Sequence, residues 1–272
     1  MNQIALPQLA VARIGGADAA SFLHGQLSAD IAGLNEGAAT FACYCSPRGQ
    51  VFGLLLVTRT GDEFLVVADT GLLPGIMRRL RMFVLRARVR IEPVQDLAVY
   101  GLPEGAEPGR MGQVLAPAGS GLRYGLGPVS RSASGDFERW KAQELLHNIV
   151  WLDAQTSERF IPQMLGLDLI GAVSFSKGCY PGQEIIARAR FLGKVKRRPL
   201  LLRVPAELAP SPGDPLRCGD GEQWSDGAVV DSAAVESGGK DDGRVLLVVT
   251  AAPAGMVQQV EFEGRNYRCA TM

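Results

Sequence analysis

Three strand-like runs follow one another with only turn-forming clusters between them, and no other feature limits the fold so strongly. ATFACYC (39–45), QVFGLLLV (50–57) and DEFLVVAD (62–69) are separated by SPRG and RTGD. Connections this short turn the chain back beside itself, so the spacing predicts an antiparallel meander. Upstream, LAVARIGG (9–16) reads as a strand stopped by Gly15 and Gly16, and Asp18 opens a helix over AASFLHGQLSADI. Phe22, Leu23, Leu27 and Ile31 recur at helical spacing and form its buried face, leaving Gln26 and Asp30 toward solvent or a ligand.

Beyond the meander, residues 72–93 read as an amphipathic helix running into a strand, with Ile76, Leu80, Phe83 and Val84 set among Arg78, Arg79, Arg81 and Arg86. A basic groove for a polyanion and an ordinary solvated helix face both fit this pattern. After Pro93 the chain is rich in glycine and proline, which suggests a second, smaller lobe of short strands; Asp136 then caps a helix over FERWKAQELLHNI. Trp140 falls off the apolar stripe of that helix made by Leu145 and Ile149. From about Leu200 the turn clusters PSPGDP, CGDGE and SGGKDDGR alternate with strands such as RVLLVVT and VQQVEFEG, the pattern of a small β-barrel. The fold class expected is α+β in three domains: a first lobe over residues 1–95, a second over 96–198 that can interleave with it, and a barrel over 199–272.

Charge and cysteine content narrow the function. Lysine plus arginine and aspartate plus glutamate both number 28, so no global field draws nucleic acid and any anion site must be local. Apolar runs such as residues 51–57 are far shorter than the roughly 20 residues that span a bilayer. The first residues lack the pattern of a secretion signal, and the expected location is the cytoplasm. Cys43, Cys45, Cys179, Cys218 and Cys269 are an odd number in a chain too large to need disulfides, so reduced thiols are expected. With only His24 and His147 and no paired CxxC spacing, no metal site is expected. Cys43 and Cys45 sit two apart on a strand, where packing is the simplest reading.

The densest chemistry lies in SFSKGCYPGQEIIARARF (174–191). Pro181 suits a first helical position, with Gly182, Gln183 and Glu184 forming the first turn and Ile185, Ile186 and Ala189 the buried side. Cys179 then stands just before a helix amino terminus with Lys177 beside it, conditions for a reactive thiol. A small residue buried at a tight turn is the other reading.

The run Lys177-Gly178-Cys179-Tyr180-Pro181-Gly182-Gln183-Glu184 resembles the K-G-C-Y-x-G-Q-E signature of the YgfZ family of folate-binding proteins. Residues 160–198 are similar to that family throughout, and FLHGQLSADI (22–31) resembles its first helix. The family shares its fold with the aminomethyltransferase of glycine cleavage, whose motif lacks the cysteine. The resemblance implies three domains around a central channel, tetrahydrofolate as the cofactor, and support for the assembly or repair of iron–sulfur proteins, including enzymes that modify transfer RNA. Its partners would be folate and iron–sulfur assembly or client proteins, without direct nucleic-acid or membrane contact. It makes Cys179 the functional thiol, with Lys177 beside it, and carries folate contact to Trp140, Tyr180, Gln183 and Glu184. Arg188, Arg197 and Arg198 are candidates for the glutamate tail, since a planar guanidinium suits a carboxylate. A second aromatic of the family pocket is replaced here by Leu9. The alternative is a folate-dependent aminomethyl transferase, for which Asp69, Asp96 and Glu144 are candidate acids.

Overall fold

The computed structural model describes residues 3–106, 112–129, 136–193, 195–235 and 243–272. In chain order the elements are β1 (Ile4–Ala5), β2 (Leu9–Gly15), α1 (Ala19–Gln26), β3 (Ala39–Cys45), β4 (Val51–Thr60), β5 (Glu63–Asp69), α2 (Leu73–Val84) and β6 (Arg90–Val94). They continue as β7 (Leu97–Leu102), β8 (Gln113–Leu115), β9 (Arg123–Pro128), α3 (Phe137–Leu146) and α4 (Gln183–Phe191). The last part holds β10 (Arg198–Pro205), β11 (Pro215–Gly219), β12 (Trp224–Val235), β13 (Gly243–Thr250), β14 (Gln259–Phe262), β15 (Arg265–Arg268) and β16 (Ala270–Thr271).

The meander forms as its turns require. β3, β4 and β5 pair antiparallel in sequence, and β2 and β6 extend the sheet to the order β3-β4-β5-β2-β6. Helix α2 covers it through Leu73, Ile76, Met77 and Leu80, a stripe of one helical face that is buried throughout. Each such side chain withdrawn from water contributes about 1.5–3 kcal/mol, which outweighs the indifferent helix propensity of a segment containing proline and glycine. Phe83, expected on the buried face, is 51% exposed, whereas Val84 after it still packs against the core, so Phe83 stands on the flank of the stripe.

Helix α1 ends earlier than the periodicity predicts. It stops at Gln26, and Leu27 turns extended (φ −109°, ψ 156°). Phe22, Leu23, Leu27 and Ile31 are nonetheless all buried, since the chain beyond the helix folds against the same core. Asp18 makes no side-chain cap; its carboxylate instead receives Arg88 at 3.1 Å.

A second sheet, ordered β1-β7-β9-β8, joins the extreme amino-terminal strand to strands almost a hundred residues later through the register Ile4–Gly101. The third has seven strands in the order β15-β14-β11-β12-β13-β10-β16. Its two edge strands are successive pieces of chain with Cys269 alone between them. β13 shows how that sheet is used: Val245, Leu247 and Val249 face the main core, while Leu246 and Val248 face a separate core of the sheet's own. Residues 237–242 of the SGGKDDGR turn and 107–110 of the glycine-rich stretch lie outside the described residues. No helix among the described residues is long and apolar enough to cross a membrane.

Candidate functional site

Two places concentrate chemistry. The first is the motif around α4. The helix begins at Gln183, two residues later than Pro181 would set it, because Gly182 occupies the left-handed region at φ 82°. A Cβ on Gly182 would stand 2.5 Å from the Ser46 carbonyl oxygen, so the start of α4 is pressed against the SPRG turn in a way that only glycine permits. Of the predicted buried side, Ile186 is fully buried while Ile185 is 38% exposed.

Lys177 ties the motif to α1. Its ammonium donates to the Leu27 carbonyl at 2.6 Å and to the His24 carbonyl, the free acceptors at the carboxy-terminal end of α1. It also stands 4.8 Å above the Tyr180 ring. Desolvation lowers its pKa to about 8, against the raising influence of Asp30 and of the Cys179 thiol. Tyr180 is buried, and burial with the neighbouring Cys45 and Cys43 raises its hydroxyl pKa. Cys179 is the exposed free cysteine; Cys43, Cys45 and Cys218 are buried and Cys269 is partly so. Cys43 and Cys45 pack as expected, and their mutual hydrogen bond, with burial, raises the Cys45 thiol. Glu184 is exposed and pairs with Arg188 within its own helix at 2.8 Å; Arg197 is exposed just ahead of the third sheet and Arg198 is exposed at the first position of β10.

The second place is a cavity of about 270 Å³ between α3, the end of β5 in the first sheet and β12 in the third. Its lining comes from Gln8 ahead of β2, Asp69 at the end of β5, one face of α3, Trp151 and Asp153 after it, and Val230 and Asp231 of β12. On α3, Phe137, Lys141, Glu144 and Leu145 follow the i, i+4, i+7, i+8 rule for one helical face. Asp136 fixes that helix by accepting from the Arg139 amide at 3.0 Å, as predicted. Lys141 reaches across to Asp231 at 2.6 Å, joining α3 to the third sheet.

Glu144 is 1% exposed. Its Oε1 accepts from the Tyr124 hydroxyl at 2.8 Å and from the Trp151 indole at 2.9 Å. Burial raises its pKa to about 7 in spite of those donors, which favour the charged form. Trp140 belongs to the same network from behind. It is 2% exposed, so it lies in the core rather than off it, with its ring edge-on to Tyr124 at 5.6 Å. Gly101 on β7 makes room for it: a Cβ there would stand 2.5 Å from the indole. The Trp140 N–H lies near enough to Glu144 to favour ionisation, yet makes no hydrogen bond of good geometry, and we read it as a weak polar contact.

The structure thus separates residues that the sequence placed together. Lys177, Cys179 and Tyr180 gather at the end of α1, while Gln183, Glu184 and Arg188 follow on α4; none of them lines the cavity. Trp140 stands behind one of the cavity's carboxyl groups. Of the three candidate acids, Asp69 and Glu144 line the cavity and Asp96 is exposed elsewhere. Gln8, Lys141, Trp151, Asp153 and Asp231 were not singled out. The one available signal was on α3, where Lys141 and Glu144 interrupt the face that carries Phe137 and Leu145. Among the described residues no cluster of three or more histidine, cysteine or acidic side chains is placed to hold a metal ion.

No family model matches the chain. Curated proteins named "tRNA-modifying protein YgfZ" from Escherichia coli O45:K1 (strain S88) and from Shigella boydii serotype 18 are each 28% identical to it over 281 aligned positions, covering 92% of this chain and 85% of theirs. Among solved structures, the glycine cleavage system aminomethyltransferase T from Bartonella henselae superposes with a TM-score of 0.66 at 16% identity, over 99% of this chain and 84% of that one.

Proposed function

From a chain that is a homologue of the tRNA-modifying YgfZ proteins and has an aminomethyltransferase-like fold, we propose a tetrahydrofolate-binding factor that supports the assembly or repair of iron–sulfur proteins, including enzymes that modify transfer RNA. The cavity between α3, β5 and β12 is the observation that carries this reading. At about 270 Å³ it lies just below the roughly 300–1,000 Å³ of sites that enclose a drug-sized ligand, so it suits a bicyclic head group whose tail runs outward. Gln8 lines it, and its Oε1 is a buried acceptor with no partner. A pterin edge, rich in N–H groups, fits such a lining, with Phe137 and Leu145 supplying apolar wall. When bound, the reduced folate would supply a nitrogen able to carry a one-carbon unit. The protein's own residues hold and orient the head group and limit water around it.

Residues 1–95, 96–198 and 199–272 make the three domains of this reading, with β1 of the first contributed to the sheet of the second. The continuity of β15 and β16 across the two edges of the seven-stranded sheet supports a closed barrel for the last. Cys179, exposed at the motif and away from the cavity lining, is the thiol offered to iron–sulfur assembly or client proteins in the cytoplasm.

Isothermal titration with tetrahydrofolate tests the binding claim. Val230→Trp fills the cavity from β12, so the native protein should bind and this variant should lose at least tenfold in affinity. No binding by the native protein overturns the reading. A second reading, the one-carbon transferase, draws support from Glu144, whose pKa of about 7 suits it to hold or release a proton at a ligand nitrogen. It requires methylene-tetrahydrofolate to form from an aminomethylated lipoyl carrier; we expect none above background.

A further inference from the structure

The surface around α4 carries apolar side chains that folate binding leaves unused. Leu169, Phe191 and Leu192 are 70%, 67% and 85% exposed. Contacts gather them into one patch. The rings of Phe175 and Phe191 meet edge-on at 5.8 Å, and the Arg190 guanidinium lies 5.3 Å from the centre of the Phe175 ring. Arg190 also reaches Asp168, the chain neighbour of Leu169, at 3.9 Å. Single exposed leucines are ordinary, but a joined group of large apolar side chains marks a surface that another molecule covers.

Charge tells what covers it. From Ile185 to Arg198 the sequence holds six lysines and arginines and no acidic residue, in a chain whose formal charge is zero. The Asp168 side chain is only 5% exposed, so it shows little negative charge to solvent, and Glu184 at the start of α4 is matched by Arg188. Lys196, Arg197 and Arg198 are exposed and have no ion-pair partner among the described residues. A complementary surface is therefore acidic around an apolar centre. RNA supplies the negative charge but relies on flat faces where bases stack. Leu169 and Leu192 offer no such face, and Arg190 already lies over Phe175. A protein surface uses these side chains directly, as buried anchors within a polar rim.

We propose that the patch of Leu169, Phe175, Phe191 and Leu192, with the cations that follow it, docks an acidic surface of an iron–sulfur client or assembly protein and so brings that partner to Cys179. The inference rests on the functional reading above and deepens it by naming the surface that the partner takes. Cys179 lies within the same stretch of chain: Phe175 precedes it by four residues, and α4 begins four residues after it. Lys177, held on the carbonyls at the end of α1, anchors that stretch, so a partner seated on the patch meets the thiol at a fixed place.

Two variants and a crosslink test this. Phe191→Ser combined with Leu192→Ser removes the apolar centre, and Lys196→Glu reverses a free cation. None of these residues lines the cavity, so both variants should keep native affinity for tetrahydrofolate and the native rate of Cys179 alkylation. In cells lacking the protein, each should restore about fivefold less iron–sulfur enzyme activity than the native chain does, while Lys196→Arg should restore it in full. A photo-reactive phenylalanine analogue in place of Leu192 should crosslink, in the same cells, to a peptide rich in aspartate and glutamate from an iron–sulfur or assembly protein. Lys196→Glu should cut that yield by about fivefold. The crosslink decides the question even where the double variant fails to fold. Full restoration by the folded double variant would overturn the inference and leave folate binding standing. So would the absence of a crosslink, or crosslinks confined to RNA, to lipid or to a second copy of this chain. Absence of tetrahydrofolate binding by the native protein would overturn the folate reading alone, and failure of the native chain to restore activity would overturn both.

Discussion

At the scale of single residues, Glu144 makes the largest demand on the fold. Its carboxyl is moved from an ordinary value of 4.5 to about 7 by burial, so the folded chain holds that proton more tightly than the unfolded chain does. Stability from this group is therefore fully present below about pH 4.5 and is lost as pH rises through 7, a change of about 3 kcal/mol. Denaturant midpoints at pH 5 and pH 8 should fall further in the native protein than in Glu144→Gln; equal falls would show that the carboxyl ionises without cost. A sequence does not display this residue as unusual. Glutamate suits a helix, and its burial depends on Tyr124, Trp151 and Asp231, which come from other segments.

At the scale of elements, much was legible because the signals are local. The β3-β4-β5 meander followed from two short turn clusters, and α3 followed from Asp136 and the apolar positions after it. The start of α4 was misplaced by two residues because Gly182 answers to the SPRG turn, a contact that local periodicity cannot contain. The end of α1 was overrun for a similar reason: Lys177, 150 residues beyond Leu27, takes its terminal carbonyls. The thiol before α4 belongs to this scale too. Cys179 is exposed while Cys43, Cys45 and Cys218 are buried, so limited alkylation followed by peptide mass mapping should label it first. With the proposed role, Cys179→Ala should fold and bind folate normally yet fail to restore iron–sulfur enzyme activity in cells lacking the protein. Full restoration would remove the thiol from the mechanism.

At the scale of the whole molecule, the cavity lies between α3, the end of β5 and β12. Lys141 spans from that helix to Asp231 of the last sheet, and Gln8 and Asp69 close the opposite side. These residues lie more than 220 positions apart in the chain, from Gln8 to Asp231, and no periodicity relates them, which is why the sequence located the motif but not the cavity. The resemblance gave Trp140 as a wall of the folate site; the side chain is buried in the core behind Glu144 and is not part of the cavity lining. A crystal structure of the protein with tetrahydrofolate tests the central claim most directly. The account predicts the bicyclic head group in the cavity between α3 and β12, with its tail leading outward. A head group seated instead on the α4 surface beside Cys179, with the cavity unchanged, would contradict it.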